Sequence, residues 1–421
     1  MNKKILKNFQ QIATPIGFEA KKGKDMQKIL VISDASIIIE GEKIEFVGKT
    51  EEMHKLYNEK DYQVIDMTGK TAIPGFVDSH THFIFGGYRA DEFGMRLRGK
   101  SYMEIMNAGG GIISSVKDTR EASLEELTEA GKKRLLSMLS FGVTSVEGKS
   151  GYGLDKETEL KQLRAMKNLD GLTPIEISKT FLGAHAVPKD YVGREDEFID
   201  YMIEEVLPIV KEENLAEFCD VFCEEKVFDI EQSKRLLTAA KNKGFKIKMH
   251  ADEIVPIGGS KLAVDMKAIS ADHLLQITDE HIKLMANSNT IATLLPGTAY
   301  SLKEDFADAR KLIDSGCAVA LATDLNPGSC YTESIPLIIS LAALYMNMMP
   351  EEILTALTLN GAAAIDRASE IGSLEKGKQA DINVIDAPSY EFLTYHIAVN
   401  SIEKVFKKGK LAYERRDYIN V

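Results

Sequence analysis

The stretch that decides the fold is PGFVDSHTHFIFGG, residues 74–87. Phe76 and Val77 form a short apolar run after a Pro-Gly breaker, and His80 and His82 follow it, so the pattern predicts a buried strand that ends in H-x-H. Side chains two residues apart in a strand share one face, which places both imidazoles where they can chelate one divalent ion. An isolated H-x-H fits two polar loop histidines equally well, so the rest of the chain has to decide.

Length and charge narrow the class of protein. A chain of 421 residues predicts a large domain with an accessory one, or two comparable domains. The 52 Lys+Arg against 64 Asp+Glu give a net charge of -12 without a basic run, which argues against nucleic acid or an anionic membrane as partner. No apolar stretch resembles a membrane span or a signal peptide, so we expect a cytoplasmic protein whose four cysteines are reduced core thiols.

Eight short apolar runs in the middle of the chain are separated by longer helical stretches, a pattern typical of βα units around a parallel sheet. The runs are residues 75–78, 143–147, 175–183, 217–224, 245–250, 268–273, 290–295 and 318–324. Eight such repeats favour a TIM-like (β/α)8 barrel over a doubly wound sheet. Short strands are predicted instead near both ends, at residues 29–47, 62–67, 380–386 and 401–411. We therefore predict an α/β protein in which residues 74–366 form the barrel, and residues 1–73 and 367–421 join in one small β-sandwich.

Further candidate metal ligands lie where the predicted strands end. His250 and Glu253 follow the fifth run in KIKMHADE, His273 ends the sixth in SADH, and Asp324 ends the eighth in ATDLNPGS. A parallel barrel brings the carboxyl ends of all its strands to one mouth, so these side chains are expected to meet. The predicted metal ligands are His80, His82, His250 and Asp324. Imidazoles with one carboxylate suit one divalent metal ion, Zn or Fe, with a coordination position left for water.

Longer motifs identify a family that the chain resembles. PGFVDSHTH, HADE, SADH and ATDLNPGS resemble the amidohydrolase superfamily, and a narrower set resembles the imidazolonepropionase family within it. That narrower set is FGGYRADEFGMRLRGKSYMEI at residues 85–105, AGGGI, EGKSGYGL, FLGAHAVP, CDVFCEE, LLPGTAYSL and GSLEKGKQADINV. The resemblance implies a TIM-like barrel, a β-sandwich made from both termini, and hydrolysis of 4-imidazolone-5-propanoate to N-formimino-L-glutamate in histidine degradation. It also implies a single metal, since the fourth strand has no lysine before Lys226 that could bridge two metals as in binuclear members.

The resemblance also implies roles for residues outside the metal shell. The implied substrate-binding residues are Arg89, Tyr152, His185, Glu253, Asn326, Gly328 and Ser329, and the implied catalytic residues are Glu253, His273 and Asp324. An anionic propanoate needs a cation, for which Arg89 offers a fork of donors, and Tyr152 can add a hydroxyl. We expect Asp324 to receive a proton from water, while His273 or Glu253 stabilises the oxyanion or protonates the leaving ring nitrogen.

Two other functions are left open by the sequence. A deaminase of a heterocyclic base, or another cyclic-amide hydrolase, would use the same barrel and metal, but Arg89 with Tyr152 favours a substrate that bears a carboxylate. A metal-dependent binding or structural protein would have no use for Glu253 and His273, which are surplus to metal binding. A homodimer is the default expectation for an enzyme of this kind, although no interface is indicated.

Overall fold

The computed structural model of the chain describes residues 3–100, 104 and 110–415. Parts of two sequence motifs therefore lie outside the described residues, namely residues 101–103 and 105 of FGGYRADEFGMRLRGKSYMEI and residues 108–109 of AGGGI. The outermost residues of the predicted β-sandwich, 1–2 and 416–421, lie outside them too.

The described strands fall into two sheets, and their order along the chain separates a β-rich beginning and end from a βα middle. In chain order they are β1 (Lys3–Pro15), β2 (Ile29–Glu40), β3 (Lys43–Lys49), β4 (Gln63–Asp66), β5 (Thr71–Pro74), β6 (Phe76–Asp78), β7 (Val143–Lys149), β8 (Glu176–Ala184), β9 (Phe218–Cys223), β10 (Lys246–Ala251), β11 (Ser270–His273), β12 (Ile291–Leu294), β13 (Val319–Leu321), β14 (Ile382–Ile385), β15 (Ile402–Lys407) and β16 (Lys410–Glu414).

Strands β6 to β13 form the central sheet, in which every strand pairs in parallel with its neighbour in the sequence. Each of the eight apolar runs has become one of these strands. Because both faces of a parallel barrel sheet are covered, such strands are rich in apolar residues and can be recognised in the sequence. The predicted TIM-like barrel is confirmed.

Helices cover the outside of the barrel between its strands. In chain order the helices are α1 (Thr50–Leu56), α2 (Ala90–Leu97), α3 (Ile112–Glu121), α4 (Leu124–Ser140), α5 (Lys156–Leu169), α6 (Glu195–Tyr201), α7 (Leu207–Glu212), α8 (Ile230–Asn242), α9 (Gly259–Asp265), α10 (Asp279–Ala286), α11 (Pro296–Leu302), α12 (Ala309–Asp314), α13 (Ile335–Tyr345), α14 (Pro350–Leu357), α15 (Leu359–Ala364) and α16 (Phe392–Tyr395). Single turns of 3-10 helix occur at Gly23–Gln27, Glu59–Asp61 and Lys189–Tyr191, and a π turn at Met202–Val206.

Local sequence explains where the longer helices begin. At the start of α4, Glu126 N donates to Ser123 Oγ (3.1 Å) and Ser123 N donates to Glu126 Oε2 (2.8 Å), which is a capping box. Asp229 and Gln232 form the same reciprocal pair at the start of α8. Each box satisfies two backbone N–H groups that the first helical turn leaves without an internal partner.

The second sheet joins both ends of the chain, as predicted. Its strand order is β16-β15-β14-β5-β1-β2-β3, and β4 pairs with the first half of β1. The junction is the antiparallel pairing of β5 with β14, where Thr71 lies opposite Ile385 and Pro74 opposite Ile382. An apolar cluster that includes Phe9, Ile37 and Phe406 packs inside this sheet. The N- and C-terminal segments therefore share one core.

Two features of the composition have simple structural outcomes. The four cysteines, Cys219, Cys223, Cys317 and Cys330, are buried and form no disulfide. Among the described residues, no helix is both long enough and apolar enough to cross a membrane.

Candidate active site

The barrel closes between the residues that follow β6 and those that follow β13. Thr81 and Leu325 form a parallel β-bridge. Beside it, Asp324 N donates to His80 O (3.0 Å) and His82 N donates to Leu325 O (2.8 Å). Backbone pairing at this seam therefore brings His80 and His82, which follow the first barrel strand, next to Asp324, which follows the last. Most of the barrel sequence lies between them.

A buried side chain reinforces the seam. The Asp78 carboxylate accepts hydrogen bonds from Thr323 N (2.9 Å) and from Thr323 Oγ1 (2.6 Å), across 245 residues of sequence. Burial raises the pKa of Asp78 to about 7, against the effect of these hydrogen bonds. The seam is thus held by backbone and side-chain hydrogen bonds between the two strand ends.

Three of the four predicted metal ligands meet at this seam, and the fourth lies against them. Asp324 Oδ1 lies 3.6 Å from His80 Nε2 and 3.7 Å from His82 Nε2. The ring of His250, at the end of β10, is centred 4.6 Å from the His80 ring and 5.7 Å from the His82 ring. A tetrahedral first-row cation about 2.1 Å from each ligand would hold ligand atoms about 3.4 Å apart. The spacing of these atoms therefore suits a shared cation.

The hydrogen bonding of the histidines also fits a metal. Nδ1 of His80 is 2.6 Å from Asp272 Oδ2, so this nitrogen carries the proton and Nε2 presents a lone pair. Among the described residues, the buried Nε2 atoms of His80 and His250 have no hydrogen-bond partner. Burial lowers the pKa of His80, His82 and His250 well below the usual value, so all three imidazoles are neutral near pH 7. Orphaned, neutral ring nitrogens of this kind are what a divalent metal requires.

A buried ionic network lies directly behind the histidines. Lys149 Nζ contacts Glu147 Oε1 (2.9 Å), Asp220 Oδ2 (2.7 Å) and Asp272 Oδ2 (3.4 Å). Lys248 contacts the other oxygen of Glu147, and all five side chains are fully buried. Although burial alone would lower it, the carboxylates of Asp220, Glu147 and Asp272 raise the pKa of Lys149. The two ammonium groups therefore balance most of the negative charge of three carboxylates.

This network reaches the metal-binding histidines through two aspartates. Asp272 accepts from His80, as described, and Asp220 Oδ2 lies 3.0 Å from His250 Nδ1. The other oxygen of Asp220 accepts from His250 N (3.2 Å), which fixes the backbone that carries the ring. Lys149 thus holds in place Asp272, which orients the His80 imidazole, and Asp220, which fixes the backbone of His250, a role that outer partners of metal sites commonly perform.

On the other side of the metal-binding residues, aromatic groups line the site. The His185 ring stacks on the His82 ring with centroids 4.9 Å apart and planes 7° apart, and the Tyr152 ring meets the same imidazole edge-on at 5.6 Å. His185 Nδ1 is 3.0 Å from Gly151 O, which places the proton on Nδ1 and leaves Nε2 as an acceptor. Burial lowers the pKa of His185 to about 4, so this imidazole is neutral.

The two predicted acid-base residues lie together. Glu253 Oε1 is 3.3 Å from His273 Nδ1, and the His273 ring is centred 5.1 Å from that of His250. Burial, with a contribution from Asp324, raises the pKa of Glu253 well above its usual range, while burial lowers the pKa of His273 to about 4. Burial thus favours the protonated form of Glu253 and the neutral form of His273, so the pair can donate and accept a proton. His273 also has a φ of +76°, a strained backbone for a non-glycine residue at a strand end.

Arg89 is fixed by a neighbour on its own helix. Its Nε and Nη2 atoms donate to Glu92 Oε2 (2.9 and 2.8 Å), and the same oxygen accepts from Gly111 N (3.0 Å). Nη1 lies over Gly328, where an added Cβ would be only 2.0 Å away. The edge of the guanidinium formed by Nη1 and Nη2 is thus left for a second anion.

The loop after β13 is organised by Asn326. Its Oδ1 accepts from Gly328 N and Ser329 N, both at 2.8 Å, and its Nδ2 donates to Asp324 O (2.8 Å) and Ser329 Oγ (2.8 Å). Asn326 therefore uses both ends of its side chain within the loop. This arrangement sets the position of Gly328 beneath Arg89.

The sequence analysis did not identify the network of Lys149, Lys248, Glu147, Asp220 and Asp272, although a signal for it exists. Cys219, Val221 and Cys223 alternate along β9 and pack in the apolar core, so Asp220 between them must face the barrel interior. The same alternation places Lys248 on the face of β10 that carries His250. Charged residues inside apolar parallel strands are the signal that was available.

Comparison with known proteins agrees with this geometry. The family model described as "Amidohydrolase family" matches residues 71–412. Imidazolonepropionase of Clostridium tetani is 57% identical over 411 residues, covering 98% of both chains. Imidazolonepropionase of Parabacteroides distasonis is 55% identical over 411 residues, covering 97% of this chain and 99% of the relative.

Solved structures of low sequence identity share the fold. An adenosine deaminase from Xanthomonas campestris with bound zinc superposes with a TM-score of 0.72 at 17% identity, covering 99% of this chain and 94% of that one. Atrazine chlorohydrolase from Arthrobacter aurescens complexed with zinc gives 0.71 at 17% identity, covering 98% and 95%. The superfamily and family expected from the motifs are confirmed: the chain belongs to the amidohydrolase family and, within it, to the imidazolonepropionases.

Proposed function

We propose that this chain hydrolyses the cyclic amide of 4-imidazolone-5-propanoate to N-formimino-L-glutamate, a step of histidine degradation, with the residues below in the stated roles. The observation that carries the proposal is the single buried cluster in which His82 contacts Asp324 on one side and His185 and Tyr152 on the other. The rings of two candidate substrate-binding residues, His185 and Tyr152, are therefore centred within 5.6 Å of the ring of His82, a proposed metal ligand.

The proposed metal ligands are His80, His82, His250 and Asp324. Their support is the 3.6 and 3.7 Å spacing around Asp324 Oδ1 and the orphaned Nε2 atoms of His80 and His250. Nitrogen and oxygen donors of this kind suit Zn or Fe. When bound, such an ion supplies Lewis acidity, which makes water nucleophilic near neutral pH.

Arg89 and Tyr152 are proposed to bind the propanoate carboxylate. Glu92 occupies one edge of the Arg89 guanidinium, so the remaining edge is oriented for a bidentate contact to a second carboxylate. His185 presents an unprotonated Nε2 and is proposed to accept a hydrogen bond from a ring N–H of the substrate. Glu253 is proposed to contact the substrate ring, and Asn326, Gly328 and Ser329 to shape the pocket around it through the loop hydrogen bonds.

Proton transfer is proposed to involve three residues. Asp324, whose Oδ1 lies beside the Nε2 atoms of His80 and His82, is suited to take a proton from the attacking water. Glu253, whose protonated form burial favours, is suited to protonate the leaving ring nitrogen, while neutral His273 beside it stabilises the tetrahedral oxyanion or returns the proton. In this proposal residues 74–366 form the domain that carries the chemistry, and residues 1–73 and 367–421 form the β domain.

The test uses purified protein, loaded with metal or treated with a strong chelator, and freshly generated 4-imidazolone-5-propanoate. We expect loss of the ultraviolet absorbance of the substrate, appearance of formiminoglutamate by mass spectrometry, and abolition of both by the chelator. A folded, metal-loaded sample without turnover would refute the proposal, and release of ammonia from a heterocyclic base would indicate the deaminase alternative. Analytical ultracentrifugation of the same sample tests the expected homodimer, and cell fractionation tests the expected cytoplasmic location.

A further inference from the structure

One buried carboxylate organises the loop that carries Tyr152. Glu159, in the first turns of α5, is fully buried and accepts hydrogen bonds from Gly151 N (3.0 Å), Gly153 N (2.8 Å) and Leu154 N (2.9 Å). Three hydrogen bonds from backbone amides of a single loop thus converge on one side chain.

The remaining amide of the loop is held from the same helix. Tyr152 N donates to Gln162 Oε1 (3.1 Å), and Gln162 Nε2 donates to Ile84 O (2.7 Å). Gln162 follows Glu159 by three residues, so both side chains lie on one face of α5. Four consecutive backbone N–H groups, from residue 151 to residue 154, therefore end on two neighbouring side chains.

Two carbonyl groups of the same loop, those of Ser150 and Gly151, face the active site. Ser150 O lies 3.4 Å from Nδ1 of His82, and Gly151 O lies 3.0 Å from Nδ1 of His185. Four N–H groups of the loop point to α5, and the carbonyls of Ser150 and Gly151 point to His82 and His185. The loop therefore connects Glu159 to these two rings and to the ring of Tyr152, which the loop itself carries. Gly151 has a φ of +109°, which glycine adopts readily, whereas Leu154 has a φ of +55°, which a residue with a side chain seldom adopts without support from its surroundings.

Glu159 is not needed to start its helix. Asp155 caps α5, since its Oδ1 accepts from Thr158 N (2.7 Å). Burying a carboxylate is unfavourable, and burial raises the pKa of Glu159 to about 7 despite its hydrogen bonds. Helix formation therefore does not explain why a carboxylate is buried at this position, where burial is unfavourable in free energy.

We propose that Glu159 is a positioning residue for the carboxylate-binding side of the active site: it fixes the 150–154 loop so that Tyr152 and His185 face the substrate. The inference rests on the proposed function, because it assigns Tyr152 to the substrate carboxylate. Gln162 supports Glu159 by holding the amide of Tyr152 itself.

The main variant is Glu159→Gln, which puts an amide donor against backbone donors while keeping the side-chain volume. We expect KM to rise between about tenfold and a hundredfold and kcat and bound metal to fall by less, because the loop carries Tyr152 and holds His185, whereas it lies near only one proposed metal ligand, His82, at 3.4 Å. Glu157→Gln, an exposed residue two positions earlier on α5, is the matched control. Gln162→Met removes the acceptor for Tyr152 N and is the second variant if Glu159→Gln does not fold.

Two readouts separate positioning from a general loss of stability. The first is the inhibition constant of imidazole-4-propanoate divided by that of neutral 4-propylimidazole, which should rise at least tenfold in Glu159→Gln and stay constant in Glu157→Gln. The second is hydrogen exchange of the amides of residues 151–154, which should accelerate only in Glu159→Gln.

The outcomes are distinguishable. Wild-type protein without turnover refutes the proposed function. Wild-type turnover with the same KM and inhibitor ratio in Glu159→Gln refutes the positioning role alone. The Tyr152→Phe/Glu159→Gln double variant gives a further test. If its fold-increase in KM equals the product of the fold-increases in the two single variants, the positioning role is refuted, because residues that act through one another do not have independent effects.

Discussion

Replacement of Gly328 by alanine tests whether Arg89 recognises the substrate. A Cβ built at Gly328 lies 2.0 Å from Arg89 Nη1 and 2.9 Å from its Cζ. Ordinary contact requires about 3.5 Å, so the guanidinium must move by about 1.5 Å. Gly328 is not in the left-handed region, so the substitution adds no backbone strain and its effect is confined to Arg89.

The size of the effect follows from the hydrogen bonds at risk. A hydrogen bond between charged groups contributes about 1.5–3 kcal/mol, and each 1.4 kcal/mol is a factor of ten. Losing one such contact to the substrate carboxylate should raise KM by about 10- to 150-fold. The proton-transfer groups and the metal ligands do not contact the added methyl, so kcat should change far less.

The assay is steady-state turnover of imidazolonepropanoate, with bound metal measured on the same samples. Gly94→Ala is the control, because it adds a methyl group in the same region, where the nearest atom is Arg98 Nη2 at 3.2 Å on a flexible side chain. Unchanged KM in Gly328→Ala would refute the assignment of Arg89 to the substrate carboxylate. A fall in kcat at constant KM would instead place Arg89 closer to the reacting bond.

Four further expectations concern the metal, its supporting residues and pH. Removing the metal with a chelator should abolish turnover, and adding Zn or Fe back should restore it. Asp272→Asn should weaken metal binding by about 10- to 100-fold in a chelator competition, because His80 Nδ1 loses its carboxylate. Glu253→Gln and His273→Ala should lower kcat by about 10²- to 10⁴-fold with bound metal unchanged, and loss of metal would contradict the roles proposed for them. In metal-free protein the pKa of His273 is about 4 in the folded state against 6.5 in the unfolded state, so between these pH values the unfolded chain binds one proton more. The free energy of unfolding should therefore fall by about 1.4 kcal/mol per pH unit as the pH drops from 6.5 to 4. Urea titrations that give the same pH dependence for wild type and His273→Asn would contradict this.

The barrel and the candidate metal ligands were open to prediction because both rest on local patterns. The parallel strands are short runs rich in apolar residues, and a histidine lies within two residues of the carboxyl end of β6, β10 and β11. Once eight such runs are assigned to a barrel, their carboxyl ends must converge, so His250 and Asp324 join the H-x-H pair without any knowledge of tertiary contacts.

Strand β1 escaped prediction for a physical reason. Its pairing with β2 shifts register between Leu6 and Phe9, where Asn8 has a φ of +66° and Asp34, on β2, has a φ of +51°. A bulge of this kind adds one residue to the strand and breaks the alternation by which a strand is identified in a sequence. The longest strand among the described residues therefore has the least regular pattern.

The supporting groups of the site could not be paired from sequence. Lys149 is obviously unusual in a strand, but its partners Asp220 and Asp272 come from two other strands, and only the register of the barrel brings them together. Glu159 looks like any acidic residue near a helix start, and its role depends on the path of the loop before that helix. Such contacts are properties of tertiary structure.

The seam between the first and last barrel strands has a consequence for how the chain acquires its metal. A cation shared by His80 and Asp324 would bridge a segment as long as the 245 residues between Asp78 and Thr323. In the chain-entropy model a cross-link of that span stabilises the fold by on the order of 5 kcal/mol. During synthesis the site stays incomplete until the ribosome has released the last barrel strand. With Asp324 among the proposed ligands, we expect the full ligand set to form only after residue 324 has been synthesised, so that a chain ending before this residue would bind the ion with one ligand fewer.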